Sequence, residues 1–379
     1  MLRDFGRNGS WTSGKILDHT NATIKGNHLG SPLRLLFSHS SSSRSLLTSI
    51  LYQSFIFHSY SHSFQLLLRE SKIDEHESSH SIIAALATVA SGFAIPSFPF
   101  LSRREVYTDE DKFYREGLAN FSQQAFQDAV YGATFYQNLQ EISRDETTHV
   151  NFLTGALQAL GKPAVKECTY AFNIPNVQTF LATASILEGV GVSAYLGAAG
   201  LITSKAYLTA AGSILTSESR HNAYLRSVLR LRPYPQPFDV PITFNEVYTM
   251  AYGFFTSFPA DNPTFLPVKA FPTLLATSTG PIKTGSTVTL STSKVNGMAY
   301  KIDGTPLYAA WISAAGPIFV PAVPKGDMLS WDVTVPAGIH GQSYVILTGC
   351  NDKLTDDTVT AGPTIVEVQG RDGAPNLLP

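Results

Sequence analysis

Two Glu-x-x-His steps are the residues of this chain best suited to chemistry. Glu146 and His149 form the first step and Glu218 and His221 the second, and each lies within the pattern of a long amphipathic helix. Residues three apart on an α-helix project from the same face, so each step aims a carboxylate and an imidazole at one point. Such oxygen and nitrogen ligands suit iron or manganese, and zinc less selectively. The two steps predict a metal site between helices.

A lone acid, Glu188, lies between the two steps in a helical stretch that is apolar nearly all round. Burying a carboxylate costs several kcal/mol unless it is paired or bound to a cation, which favours Glu188 as a further ligand. The alternative is a carboxylate satisfied by a Ser or Tyr hydroxyl. For the two steps, the alternative is solvated pairs on exposed helix faces. A third copy, Glu77 to His80, lies in a Ser/His-rich stretch without helical pattern and is attributed to chance.

The elements that must position these residues are helices between residues 105 and 258. The apolar spacing predicts helices over 108–120, 134–160, 177–203 and 205–231, with a broken connection or short helix at 121–132. Gly161-Lys162-Pro163 and the Pro-rich turn from Pro233 are stop signals, and a fifth helix is predicted at 245–257. This pattern is typical of an up-down four-helix bundle with one additional helix.

Beyond Pro267 the pattern changes to β. Short alternating or β-branched segments, separated by Gly and Pro, predict an all-β sandwich of about seven strands over residues 268–370. The fold class is therefore α+β and multidomain. The β segment has one histidine, His340, and no cluster of acids and bases, so it is interpreted as a binding or packing module.

Composition restricts the function classes. The chain has 379 residues, of which 44% are hydrophobic and 15% charged, so it can bury a large core. Its net charge of −2 at pH 7 provides no electrostatic footprint for nucleic acid. Nucleic-acid binding is therefore not expected.

The first hundred residues differ from the rest. Residues 1–80 are rich in Ser and His without a helical or strand period, and are predicted to be a disordered or gene-model extension. Residues 81–94 form an apolar run as long as a signal-peptide core, ending in the small-x-small site Gly92-Phe93-Ala94, and are too short to span a bilayer. This run predicts a secreted or cell-surface protein, and the alternative is an ordinary buried helix.

Two cysteines, Cys168 and Cys350, complete the candidate residues. An even pair in a secreted chain permits one disulfide, which would tie the helical region to the β region. The alternative is two unrelated buried thiols.

Four strings of this chain resemble the ferritin-like proteins of the fungal glucose-repressed stress-response (Rds-type) group, and more distantly the plant desiccation-related proteins. The strings are 113–118 (FYREGL), 145–149 (DETTH), 186–191 (ILEGVG) and 218–221 (ESRH). The resemblance covers some two thirds of the chain. It implies a ferritin-like bundle with a C-terminal β-rich extension, behind a signal peptide, and implies little about activity.

One position departs from the pattern of ferritin-like first helices, in which a Glu typically stands seven residues before an aromatic. Counting back from Tyr114 gives Tyr107, which cannot serve as a bridging carboxylate. Glu110 is three residues further on and near the same face. Either Glu110 substitutes, or the site has lost one ligand.

Two hypotheses of function follow. The first is a dinuclear iron or manganese centre that reacts with oxygen or peroxide in a stress context. Its expected metal ligands are Glu110, Glu146, His149, Glu188, Glu218 and His221. The second is a non-catalytic secreted or surface protein whose bundle is a scaffold and whose β domain binds a cell-wall or surface partner. Ferritin-style storage in a cage is disfavoured, because a bulky β domain would hinder shell assembly.

Overall fold

The computed structural model describes residues 104–260, 268–292, 306–326 and 329–370, with side chains from residue 109 onward. All of them lie in one compact unit, residues 74–379. The predictions for residues 1–80 and for the apolar run 81–94 fall outside the described residues.

Six helices occupy the first half of the described chain. They are α1 (Arg104–Asn120), α2 (Gln123–Asp128), α3 (Ala133–Ala159), α4 (Val177–Ala199), α5 (Lys205–Val228) and α6 (Phe244–Tyr252). The four long helices form the predicted bundle, in which α4 packs against α5 and α1 packs against α3 and α4. The fifth predicted helix ends early, at Tyr252. The residues after it form strand β2 (Phe255–Ser257), which pairs with strand β1 (Thr169–Tyr170).

Local signals set the helix boundaries. Asn176 caps α4 by accepting a hydrogen bond from the Thr179 backbone N–H at 2.8 Å, and Ser204 caps α5 in the same way. Helix α3 ends at Ala159, and Gly161 follows with a φ of +63° that allows the Lys162 N–H to donate back to the Leu157 carbonyl. These boundaries place both Glu-x-x-His steps well inside their helices.

Helix α4 is the central element of the bundle. It is long and apolar enough to cross a membrane, but 72% of its most apolar stretch is buried inside the protein. Aromatic rings surround its first turns: Phe180 stacks on Phe113 at a centroid distance of 5.0 Å and meets Tyr114 and Phe126 edge-on. It is therefore a core helix, which explains the lack of a polar stripe in its sequence.

The β region consists of two antiparallel four-stranded sheets, in the orders β10-β9-β5-β6 and β3-β4-β8-β7. Its strands are β3 (Leu274–Thr277), β4 (Thr287–Thr292), β5 (Tyr308–Trp311), β6 (Ile318–Pro321), β7 (Val323–Pro324), β8 (Ser330–Thr334), β9 (Gly341–Thr348) and β10 (Val359–Val368). Trp311 and Trp331 lie in the core between the sheets. The predicted sandwich is confirmed, with eight strands among the described residues where about seven were expected.

The β region is packed directly onto the bundle. One buried apolar cluster contains Val190 and Ala194 of α4 together with Ile312 and Ile346 of the β region. In addition, the buried Arg226 of α5 forms a bidentate ion pair with Glu367 of β10, with N–O distances of 2.8 and 3.1 Å. Because the two regions share a core, the β region braces the bundle.

The predicted disulfide is absent, since neither Cys168 nor Cys350 is bonded to another cysteine. Cys168 lies just before β1, whose partner β2 follows α6. Cys350 follows β9, which belongs to the sheet β10-β9-β5-β6. The two residues thus adjoin different sheets, and the alternative of two unrelated thiols is the one observed.

Candidate metal centre

The bundle brings all six predicted ligand residues into one cluster in its core. Helix α1 contributes Glu110, α3 contributes Glu146 and His149, α4 contributes Glu188, and α5 contributes Glu218 and His221. Every one of the four carboxylate residues is at most 1% exposed. The two imidazole side chains are 12% and 9% exposed. The alternative of solvated pairs on helix faces is therefore wrong.

The cluster has two halves that share Glu146. In one half, His149 Nδ1 lies 3.2 Å from Glu146 Oε2 and 3.1 Å from Glu218 Oε1. In the other, His221 Nδ1 lies 3.1 Å from Glu146 Oε1 and 3.4 Å from Glu188 Oε2. Glu146, Glu188, Glu218 and His221 each offer one ligand atom within 4.8 Å of all the others. Glu146 therefore lies between the two imidazoles, with one oxygen toward each.

Most of these close approaches lack hydrogen-bond geometry. Among the four contacts, the one from His149 to Glu146 qualifies as a hydrogen bond. His221 Nδ1, Glu146 Oε1, Glu188 Oε2 and both oxygens of Glu218 are buried without a hydrogen-bond partner despite their short separations. Buried polar atoms are rarely left in this state, so each one requires an explanation. A cation at the point that they face would satisfy all of them.

Glu110 is the residue that the first helix, α1, contributes to the cluster. An alanine Cβ built at Gly191 of α4 would lie 2.8 Å from Glu110 Oε1 and 3.3 Å from Glu218 Oε2, so the two carboxylates meet over this glycine. Glu110 Oε2 is buried without a hydrogen-bond partner. Glu110 is therefore the fourth buried carboxylate of the cluster, contributed by α1 three residues after Tyr107.

Comparison with known proteins agrees with this geometry. Residues 107–231 match the family model described as "Ferritin-like domain". This segment is a ferritin-like domain. Over 245 residues the chain is also 27% identical to "Protein rds1" of Schizosaccharomyces pombe (strain 972 / ATCC 24843), which covers 64% of this chain. The chain spans 57% of the length of that relative. The resemblance to the fungal Rds-type group is confirmed.

The matched range contains all six clustered residues, whereas the β region and α6 lie outside it. The pairing of a ferritin-like domain with a C-terminal β-rich region, expected from the resemblance, is therefore present in this chain.

The clustered carboxyl and imidazole groups shift one another's pKa values. Burial, reinforced by neighbouring carboxylates, raises the pKa of Glu110 and of Glu218 well above the usual value. Burial also acts against charge on Glu146, but the two adjacent imidazoles lower its pKa overall. Burial acts to lower the histidine pKa values, yet the carboxylates raise that of His149 to about 10 and that of His221 to about 11. Without a cation the cluster therefore retains protons.

Two outer contacts orient the clustered side chains. His221 Nε2 lies 3.1 Å from Asp145 Oδ2, which leaves Nδ1 turned toward the cluster. The Tyr114 hydroxyl donates to Glu188 Oε1 at 2.6 Å. The alternative of a hydroxyl partner for Glu188 thus holds for one oxygen, while Oε2 faces the cluster.

Sequence reasoning missed both residues. Tyr114 stands four residues after Glu110, so helical spacing could have placed them on one face. Asp145 carries no such signal, because its partner His221 lies on another helix. Of the other tyrosines in the bundle, Tyr224 accepts a hydrogen bond from Asn138, and Tyr195 packs in the apolar core near Val150.

Proposed function

We propose that the ferritin-like domain binds a dinuclear iron or manganese centre. The ligands are the six clustered side chains, Glu110, Glu146, His149, Glu188, Glu218 and His221. The observation that carries the proposal is the set of buried carboxylate and imidazole atoms that face one another without hydrogen bonds. Acids from two helices, together with Glu-x-x-His pairs from the other two, are the donor set of dinuclear carboxylate proteins.

Charge balance supports two divalent ions. Four buried carboxylates within a few ångströms are untenable when ionised without compensating charge, because each isolated buried ion costs several kcal/mol. Two divalent cations would neutralise four carboxylates with both imidazoles neutral. The same donor set fits iron and manganese, which accept mixed oxygen and imidazole ligands.

The chain's own residues hold and shield the site. Asp145 orients the His221 ring, and Tyr114 holds one oxygen of Glu188. The apolar rings around the first turns of α4 exclude water on that side. When bound, iron or manganese would supply redox chemistry toward oxygen or peroxide, which accords with a role in stress response.

Elemental analysis of the full chain after aerobic reconstitution tests the proposal. We expect about two equivalents of iron or manganese in the wild type, and marked loss in His149→Ala and His221→Ala. His340→Ala is the matched control, because this histidine lies in the β region and contacts the Gln369 carbonyl. Full metal content is expected in that variant.

The competing function, a non-catalytic scaffold whose β domain binds a surface partner, predicts a different result. A chain that retains no metal after reconstitution would support it and refute the metal centre. The packing of the β region against α4 favours the first function, since it gives the β region a structural role beside Glu188.

Secretion is part of the same proposal. It is supported by the apolar run 81–94 with its small-x-small end. N-terminal sequencing of the protein from cells tests it. A mature N-terminus just after residue 94 is expected, and one upstream of Ser81 would show that the run is not a signal peptide.

A further inference from the structure

A pocket of about 340 Å³ lies where the ferritin-like domain meets the β region. Helix α4, the end of α6 and strands β3 and β10 each supply part of its wall. Most of the lining is apolar, and it includes Ile186, Val190, Met250, Leu274 and Ile365.

Glu110 connects this pocket with the carboxylate cluster. It lines the pocket together with Asp109, yet it is only 1% exposed and its Oε2 has no hydrogen-bond partner. Its other oxygen lies over Gly191, where it approaches Glu218. A molecule in the pocket would therefore contact a residue of the cluster directly.

The lining indicates the chemistry of the ligand. Two acids and no Lys, Arg or His occur among the pocket residues that the structure describes, so an anionic ligand would be repelled. The volume is at the lower end of the ~300–1,000 Å³ range of small-molecule sites, and it exceeds what dioxygen or peroxide requires. The walls favour an aliphatic chain or a small ring.

We propose that this pocket binds an uncharged, predominantly apolar small molecule beside Glu110, and that the substrate of the dinuclear centre belongs to this class. The second half rests on the proposed function, whereas the binding itself does not. The β region then has a function in addition to bracing, because it forms one wall of the substrate pocket.

Fluorescence titration of the full-length, metal-free protein tests the binding, with the uncharged probe 1-aminoanthracene. The perturbing variant is Ile186→Trp, which fills the pocket from a side chain that is 40% exposed and thus has room for an indole. We expect its affinity for the probe to fall at least about tenfold. Leu201→Trp is the matched control, because Leu201 is 51% exposed and lies outside the pocket lining. Wild-type affinity is expected there.

Competition defines the ligand class. 1-Decanol should displace the probe, whereas decanoate, its anionic counterpart, should do so at least about tenfold less well. The proposal is wrong if no probe binds, if Ile186→Trp binds as the wild type does, or if decanoate competes equally.

A separate measurement tests whether a molecule bound in the pocket lies near the metal centre. In protein loaded with Mn²⁺, the proton NMR signals of bound 1-decanol should broaden, and they should remain sharp with Zn²⁺. Probe binding without Mn²⁺ uptake would refute the metal centre and leave the pocket intact. Mn²⁺ uptake without broadening of bound 1-decanol would separate the pocket from the centre and overturn the substrate assignment.

Discussion

Replacement of Gly191 by alanine tests the position of Glu110 with a single methyl group. The new Cβ would lie 2.8 Å from Glu110 Oε1 and 3.3 Å from Glu218 Oε2. A separation of 2.8 Å is shorter than real side chains tolerate, so the Glu110 carboxylate must move by some tenths of an ångström. Both affected groups are proposed ligands, so the methyl acts on the cluster.

The expected effect on stability is small, and the expected effect on metal binding is large. Alanine gains about 1 kcal/mol over glycine inside a helix, which offsets the displacement of a flexible carboxylate. The free energy of unfolding of the metal-free protein should therefore remain within about 1 kcal/mol of the wild-type value. Disturbed ligand positions typically weaken metal binding about 10–100-fold, and we expect a loss in this range.

Gly212→Ala in α5 is the matched control, because nothing lies within 4 Å of its added Cβ. It should gain about 0.5–1 kcal/mol in stability and bind metal as the wild type does. Urea unfolding of metal-free proteins gives the stabilities, and Co²⁺ titration followed by visible absorption gives the affinities. Wild-type affinity in Gly191→Ala would refute the assignment of Glu110 as a ligand.

Three further results are expected. Tyr114→Phe removes the hydrogen bond to Glu188, and urea unfolding of the metal-free protein should show a loss of about 1–3 kcal/mol, whereas an unchanged value would mean that water replaces the hydroxyl. Arg226→Leu breaks the bidentate pair with Glu367 of β10. Because Glu367 is 38% exposed, thermal unfolding should show that the free energy of unfolding falls by only about 1–3 kcal/mol. Proteolysis between the two regions should become faster. Metal affinity should rise with pH between 5.5 and 8.5, because His149 and His221, with pKa values of about 10 and about 11, must release protons before they can bind a metal ion. Calorimetry of metal binding in buffers of different ionisation enthalpy measures this release, and the reasoning fails if no protons are released.

The helical half of the fold was largely predictable, and the β half less so. Long apolar periodicity and strong stop signals at Gly161 and Pro233 placed the helices within a few residues. The prediction for the fifth helix is too long at its end. Residues 255–257 form β2 instead, because they pair with β1, which lies more than 80 residues earlier in the chain. Very short strands such as β7, with two residues, are defined by tertiary pairing rather than by local pattern.

The sequence by itself determined that Glu146 and His149, and likewise Glu218 and His221, share one helix face, because spacing within a helix is a local property. Only the tertiary structure decided that the two pairs meet, that Glu110 reaches Glu218 over Gly191, and that Asp145 orients His221. Those relations depend on the angle and distance between packed helices, which no local spacing encodes. The same holds for the pocket, whose walls come from segments more than 200 residues apart and exist only where the bundle and the β region pack together.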